Sequence, residues 1–185
     1  MCIRDSCSTD DIVPEVAHSL VDEPGVDFVV YRDGDGVVVA GEDGSARIEQ
    51  HGVNGGSSYR YAPINGDPLK LNSVVAALKN GGGIDAEGFG KDGLWFEKTK
   101  AHEYPDPLRN IYLSLQSPRV KHTADVLISL RDGYYYGWSP FGRFIRLAAT
   151  HGNALRSSSN AFLMSTHRNL PEFVRADDAR VLLRG

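Results

Sequence analysis

The step His151-Gly152 has the clearest position for chemistry in this sequence. It directly follows the apolar run of residues 144–150, so we expect His151 at the C-terminal end of a buried strand. Open α/β sheets place ligands and catalytic groups at that end of their strands, and Gly152 leaves space because it has no side chain. Two interpretations remain open from position alone, a functional imidazole or a histidine satisfied by a nearby carbonyl group.

The spacing of the histidines and cysteines does not build a metal centre. No pair of histidines follows the H-x-x-x-H or H-E-x-x-H pattern. Cys2 and Cys7 have no metal spacing with any histidine and form no disulfide framework. The histidines are His18, His51, His102, His122, His151 and His167.

Two glycine-rich stretches resemble ligand-binding loops but lack the required register. Residues 33–36 (DGDG) do not follow the D-x-[DN]-x-[DN]-G order of a calcium loop and are typical of a hairpin turn. Residues 81–93 fail the phosphate-loop pattern twice, because Asp92 follows Lys91 and Asp85 stands where the first glycine is required. A turn and a surface loop are the predictions.

An aromatic cluster lies at residues 132–138 (DGYYYGW). Stacked aromatic side chains in a loop can bind a sugar or a base. They can equally cover the core beneath a long connection, and this second interpretation is favoured.

Residues 149–166 (ATHGNALRSSSNAFLMST) resemble the C-terminal motif of the alkaline phosphatase superfamily, especially its type I phosphodiesterase/nucleotide pyrophosphatase-like branch. In that motif a Thr- or Ser-His-Gly step precedes a loop and a strand. The matching residues are Thr150, His151, Gly152 and the run 161–165. The resemblance covers most of residues 10–180, and three further segments contribute to it: 25–39, 61–69 and 124–137.

The resemblance implies hydrolysis of phosphoesters at a two-metal site, usually zinc, with His151 as a metal ligand. Two such ions clamp an in-line displacement about 4 Å apart. The nucleophile and the Asp-His-Gly motif of the family lie upstream of this region, and no Asp-His-Gly occurs here. The resemblance therefore implies the C-terminal part of such an enzyme, inactive alone, since catalytic zinc uses about three protein ligands. The alternatives are a non-catalytic β-rich binding or interaction module and a family member that has lost catalysis.

The composition is that of an ordinary globular chain. Hydrophobic residues make up 41% and charged residues 24% of the 185 residues. The net charge of -4 does not favour binding to nucleic acid or to an anionic membrane. No apolar run approaches the roughly 18 to 20 residues that span a bilayer. The sequence indicates no oligomeric state and no compartment.

Hydrophobic periodicity predicts the elements that must position these residues. A short helix opens the chain, hairpin strands follow at residues 27–32, 37–40 and 46–49, and a fourth strand is expected at 57–63. Helices are predicted from about residue 72 to 79 and over residues 106–117. No period is visible between residues 81 and 105, where Trp95 and Phe96 are expected to pack on the body. Short apolar strands are predicted at residues 124–130, 144–150 and 160–166, two of which can be buried on both faces of a sheet. A peripheral tail packed by Phe173 and Val174 follows.

The predicted fold is α/β, a partial mixed sheet with flanking helices plus a β-rich hairpin meander. Residues 1–9 are expected to be a non-native or disordered start, because MCIRDS resembles translated sequencing adaptor at the ends of metagenomic assemblies. Residues 10–105 are predicted to form a helix and the β-rich inserted subdomain. Residues 106–185 are predicted to form the C-terminal part of an α/β metallohydrolase core. An exposed apolar edge or face is expected.

Overall fold

A six-stranded sheet with helices on both faces forms the body of the protein. A computed structural model of the chain describes residues 9–52, 56–116, 121, 124–134, 153–167 and 169–184. All pairings between the described strands are antiparallel, in the order β5-β4-β3-β2-β1-β6. The strands are β1 (Val26–Asp33), β2 (Gly36–Gly41), β3 (Gly44–His51), β4 (Ser58–Gly66), β5 (Gly90–Lys91) and β6 (Val126–Leu130). The predicted α/β class with a β-rich meander is confirmed.

Two tight turns set the register of the meander. Asp33 pairs with Gly36, and Gly41 pairs with Gly44, so each loop contains two residues. Gly34 and Gly44 have φ angles of 59° and 107°, which glycine adopts without the steric cost of a Cβ atom. The DGDG stretch is therefore the predicted hairpin turn.

The alternating residues of β1 divide the core between the two faces of the sheet. Phe28 and Val30 face the larger cluster, which includes Trp95, Leu108 and Leu115. Val29 and Tyr31 face the smaller cluster, to which α1 contributes Ala17. The described helices are α1 (Thr9–Val21), α2 (Asn72–Asn80), α3 (Asp92–Thr99), α4 (Pro107–Gln116), α5 (Arg156–Ser159) and α6 (Ala176–Arg184). None of the helices in these ranges is long and apolar enough to cross a membrane.

Two sequence predictions need correction. The stretch 81–105 contains a helix, α3, which was missed because its buried side chains, Trp95 and Thr99, define only a narrow apolar face. Residues 160–166 form no strand, and Phe162 is 85% exposed because no described element packs over it. Met164 is likewise 79% exposed. The predicted strand at 144–150 lies outside the described residues.

The strand β6 belongs to the same sheet as the meander. It pairs with β1, with Val26 opposite Leu130 and Phe28 opposite Ser129. Asp27 is thus an extra residue between two consecutive pairs, which is the geometry of a β-bulge. The bulge lies at the end of β6 from which residues 131–134 continue.

The carboxylate of Asp67 joins the end of β4 to the start of α2. Its Oδ1 accepts hydrogen bonds from the Tyr61 hydroxyl at 2.7 Å and the Leu71 amide at 2.9 Å, and its Oδ2 accepts one from the Asn72 amide at 2.8 Å. Burial is the main cause of the raised pKa of Tyr61. Asp67 therefore serves both a buried hydroxyl group and the free amides at the helix start.

Replacement of Asp67 by alanine is expected to lower the free energy of unfolding by about 2–3 kcal/mol, because a buried hydroxyl group and two amides lose their acceptor. Urea unfolding measures the loss. Asp67→Asn retains one acceptor oxygen and is the matched control, for which a smaller loss is expected. Equal stability of the wild type and Asp67→Ala would contradict this role.

Candidate functional site

The predicted metal ligand, His151, lies outside the described residues, as do Thr150 and Gly152. The described chain after the His-Gly step, here named its flank, begins at Asn153. Within the described residues, no group of three or more His, Cys, Asp or Glu side chains is placed to hold a metal ion. The described residues therefore do not provide a complete zinc centre by themselves.

Asn153 anchors this flank to the end of β6. Its Nδ2 group donates to the Leu130 carbonyl at 2.9 Å and to Oδ1 of Asp132 at 2.8 Å. Its Oδ1 accepts a hydrogen bond from the Leu155 amide at 3.0 Å, which forms an Asx-turn. The chain directly after the His-Gly step is thus held beside the carboxyl end of a strand.

Asp132 completes this anchor. Its Oδ2 accepts the Ser157 hydroxyl at 2.9 Å, while the Ser159 hydroxyl donates to the Asn153 carbonyl at 3.0 Å. The hydrogen bonds from Asn153 and Ser157 hold the pKa of Asp132 below its ordinary value. Asp132 was predicted in a loop, and the anchor was not predicted, because its only signal is an Asp-Gly step followed by a distant Asn- and Ser-rich stretch.

Residues 101–106, here named the hub loop, connect this flank to the rest of the molecule. The Arg156 amide donates to the Glu103 carbonyl at 2.7 Å, and its guanidinium donates to the Ala101 carbonyl at 3.0 Å. On the other side of the loop, the Tyr104 hydroxyl donates to Oδ1 of Asp27 at 3.1 Å. The hub loop therefore contacts both the flank of the His-Gly step and the bulge of β1.

Asp27 is an unusual group at this junction. Its Oδ2 is buried and has no hydrogen-bond partner among the residues that the structure describes. Burial raises its pKa, and the hydrogen bond from Tyr104 and the charge of Arg131 oppose part of that shift. A carboxylate oxygen without a partner is costly to ionise in such surroundings.

A second charged centre surrounds Arg175, just before α6. Its guanidinium bonds Asp92 at 2.6 and 2.8 Å and Asp106 at 2.7 and 2.9 Å, and it lies 4.5 Å from the ring centroid of Phe96. Burial lowers the pKa of Arg175, but the hydrogen bonds to Asp106 and Asp92 outweigh burial and raise it overall. Asp106, also buried, has a raised pKa despite this partner.

A cavity of about 240 Å³ opens beside this centre. Phe96 and Phe173 form apolar parts of its lining, and Lys100, Arg109 and Arg175 contribute the cations. Each cation is already paired within the chain: Lys100 with Glu97, Arg109 with Asp177, and Arg175 with Asp92 and Asp106. The pairing favours a structural role, in which Arg175 fastens the C-terminal segment to α3 and α4.

The aromatic cluster is described only as far as Tyr134; residues 135–138 lie outside the described residues. The Tyr134 ring lies over Gly25, where a Cβ atom would approach the ring to 2.1 Å. Tyr134 is nevertheless 55% exposed, so the covering role of the cluster stays a prediction. No family model, no curated protein and no solved structure was found to match this chain.

Proposed function

We propose that these residues are the C-terminal part of a metal-dependent phosphoester hydrolase, to which His151 contributes one metal ligand. The run Thr150-His151-Gly152, followed by a loop and an apolar segment, is the single observation that carries the proposal. The remaining metal ligands and the nucleophile would come from residues outside these 185.

The geometry around Asn153 supports this role. A ligand imidazole needs a fixed orientation, which neighbouring hydrogen bonds supply in metal sites. The anchor of Asp132 and Asn153 fixes the chain two residues after His151. A neutral imidazole suits zinc, and the bound metal would polarise the ester and activate the nucleophile.

Replacement of His151 by alanine in the longer protein is expected to lower zinc-dependent phosphodiesterase turnover by at least about 100-fold, because one metal ligand is lost. Turnover of bis-p-nitrophenyl phosphate measures the loss. His167→Ala is the matched control and should retain wild-type turnover. Retained turnover in His151→Ala would reject the proposal, as would His151-dependent turnover by the 185-residue chain alone.

A second candidate is a non-catalytic β-rich binding or interaction module. The observation that favours it is the exposed apolar run at residues 161–164, in which Phe162 and Met164 are 85% and 79% exposed. Exposed apolar patches mark interaction surfaces in soluble proteins. The gene sequence distinguishes the two: upstream Asp, Thr or Ser, and Asp-His-Gly motifs support the hydrolase, and a start codon and terminator that flank residues 7–185 support the module.

A further inference from the structure

The junction between β1, β6 and the hub loop contains the half-buried side chain of Asp27, whose buried Oδ2 atom has no partner among the described residues. Asp27 occupies the bulge of β1, so its side chain departs from the regular alternation of the strand. Its Oδ1 accepts one hydrogen bond, from Tyr104, and its Oδ2 has no partner among the described residues. Buried polar atoms are almost always satisfied, so this oxygen needs a physical explanation.

The charged groups that face Asp27 come from each neighbouring element. Glu103 and Tyr104 approach from the hub loop, Lys70 from the connection before α2, and Arg131 from the residue after β6. Two of these groups are already paired elsewhere: Lys70 bonds Glu103 at 2.9 Å, and Arg131 bonds Glu42 at 2.5 Å. Neither cation donates a hydrogen bond to Asp27, so an ionised carboxylate would lack a direct counter-ion among the described residues.

We propose that Asp27 is a pH-sensitive latch, which keeps the junction closed when its carboxyl group is neutral and loosens it when the group ionises. A neutral carboxyl group tolerates burial, whereas an ionised one requires water or a cation at Oδ2. The guanidinium of Arg131, whose side chain is 48% exposed, is the cation that ionised Asp27 would attract away from Glu42. The Arg131 amide donates to the Gly25 carbonyl at 2.9 Å, so this hydrogen bond reports on the end of the β1–β6 pairing beside Asp27.

The direction of the pH effect follows from the tighter proton binding in the folded chain. Because the folded-state pKa of Asp27 is raised above 3.8, its stabilising contribution is complete below the unfolded-state pKa. That contribution is lost as the pH rises through the folded-state pKa. The junction also carries the flank of the His-Gly step, because the Ala154 amide donates to the Ser129 hydroxyl at 3.4 Å. We therefore expect loosening of the junction to extend to the flank of the His-Gly step.

The test is hydrogen exchange of the Arg131 amide, corrected for its intrinsic rate, between pH 4 and pH 7. In the wild-type chain we expect at least about a twofold loss of protection as the pH rises. In Asp27→Asn the protection of the Arg131 amide should not change across this range. In Asp22→Asn, a change at an exposed residue near Asp27 in the sequence, the protection should change as in the wild type. Equal profiles for wild type and Asp27→Asn would overturn the proposal.

The variant Tyr104→Phe keeps the test decisive if Asp27→Asn does not fold. Removal of the Tyr104 hydroxyl takes away a hydrogen bond that lowers the pKa of Asp27. The midpoint of the Asp27 carboxyl resonance should therefore move to higher pH, and the midpoint of the Arg131 exchange profile should move with it. An exchange midpoint that stays fixed while the carboxyl midpoint moves would separate the two events and overturn the latch.

Discussion

Replacement of Arg175 by methionine is expected to lower the free energy of unfolding by about 3–5 kcal/mol, because two carboxylates at a buried site lose their cation. The side chains of Arg175 and Asp106 are only 13% and 8% exposed, so water screens their pair poorly. Methionine retains most of the volume that lies against Phe96, which isolates the charge effect. Urea unfolding of the whole chain measures the change.

Arg109→Met is the matched control for this prediction. Arg109 pairs with Asp177, whose side chain is 55% exposed, and approaches Asp92 only to 3.9 Å, so its pairs are expected to contribute about 1 kcal/mol or less. If Arg175→Met costs no more than Arg109→Met, Arg175 does not hold the C-terminal segment in the manner described. Combining Arg175→Met with Asp92→Asn and Asp106→Asn should restore much of the stability, because the uncompensated charges are removed.

Trp95→Ala should have a comparable effect, a loss of about 3–5 kcal/mol, because a large buried ring leaves a cavity. Trp95 is 2% exposed, and its Nε1 donates to the Tyr59 carbonyl at 2.8 Å. Trp95→Phe fills more of the space but loses this hydrogen bond, and about 1–2 kcal/mol is expected for it. Thermal unfolding of the wild type, Trp95→Phe and Trp95→Ala measures these losses of stability, which should increase in that order.

Leu94→Ala is the control on the same helix. The Leu94 side chain is 40% exposed, so its truncation should cost far less than that of Trp95. A loss in Trp95→Ala that equals the loss in Leu94→Ala would show that α3 is not fastened to the sheet by Trp95.

The meander could be predicted because its signals are local. Asp-Gly steps separate β-branched runs, and β1, β2 and β3 follow with the expected turns. The starts of α2 and α4 also carry local signals, since each follows a polar turn and presents apolar residues at helical spacing. Such features depend on a few consecutive residues, which a single sequence displays.

The charged centres could not be predicted because their partners are distant in sequence. Arg175 lies 83 residues from Asp92 and 69 from Asp106. In the sequence, Asp27 is one polar residue at the start of a predicted strand. Its bulge exists only because β6 pairs with β1. Only the folded chain brings these groups together, so neither spacing nor composition indicates them.

The anchor of Asp132 and Asn153 was missed for the same reason, yet it bears most directly on the proposed function. The sequence predicts His151 at the end of a strand. In the structure, Asn153, two residues later, is bonded to the end of β6. The hub loop then links this flank to the bulge of β1 through Tyr104. The anchor and the proposed latch are therefore parts of one connected region, and the anchor begins two residues after His151 in the sequence.

Zinc content tests the proposed role of His151 most directly. The longer protein and its His151→Ala variant would be dialysed against zinc-buffered solution and compared by elemental analysis, with circular dichroism to verify the fold. We expect about two zinc ions per wild-type molecule and the loss of about one in the variant. Equal zinc content in two folded proteins would contradict the assignment of His151 as a metal ligand.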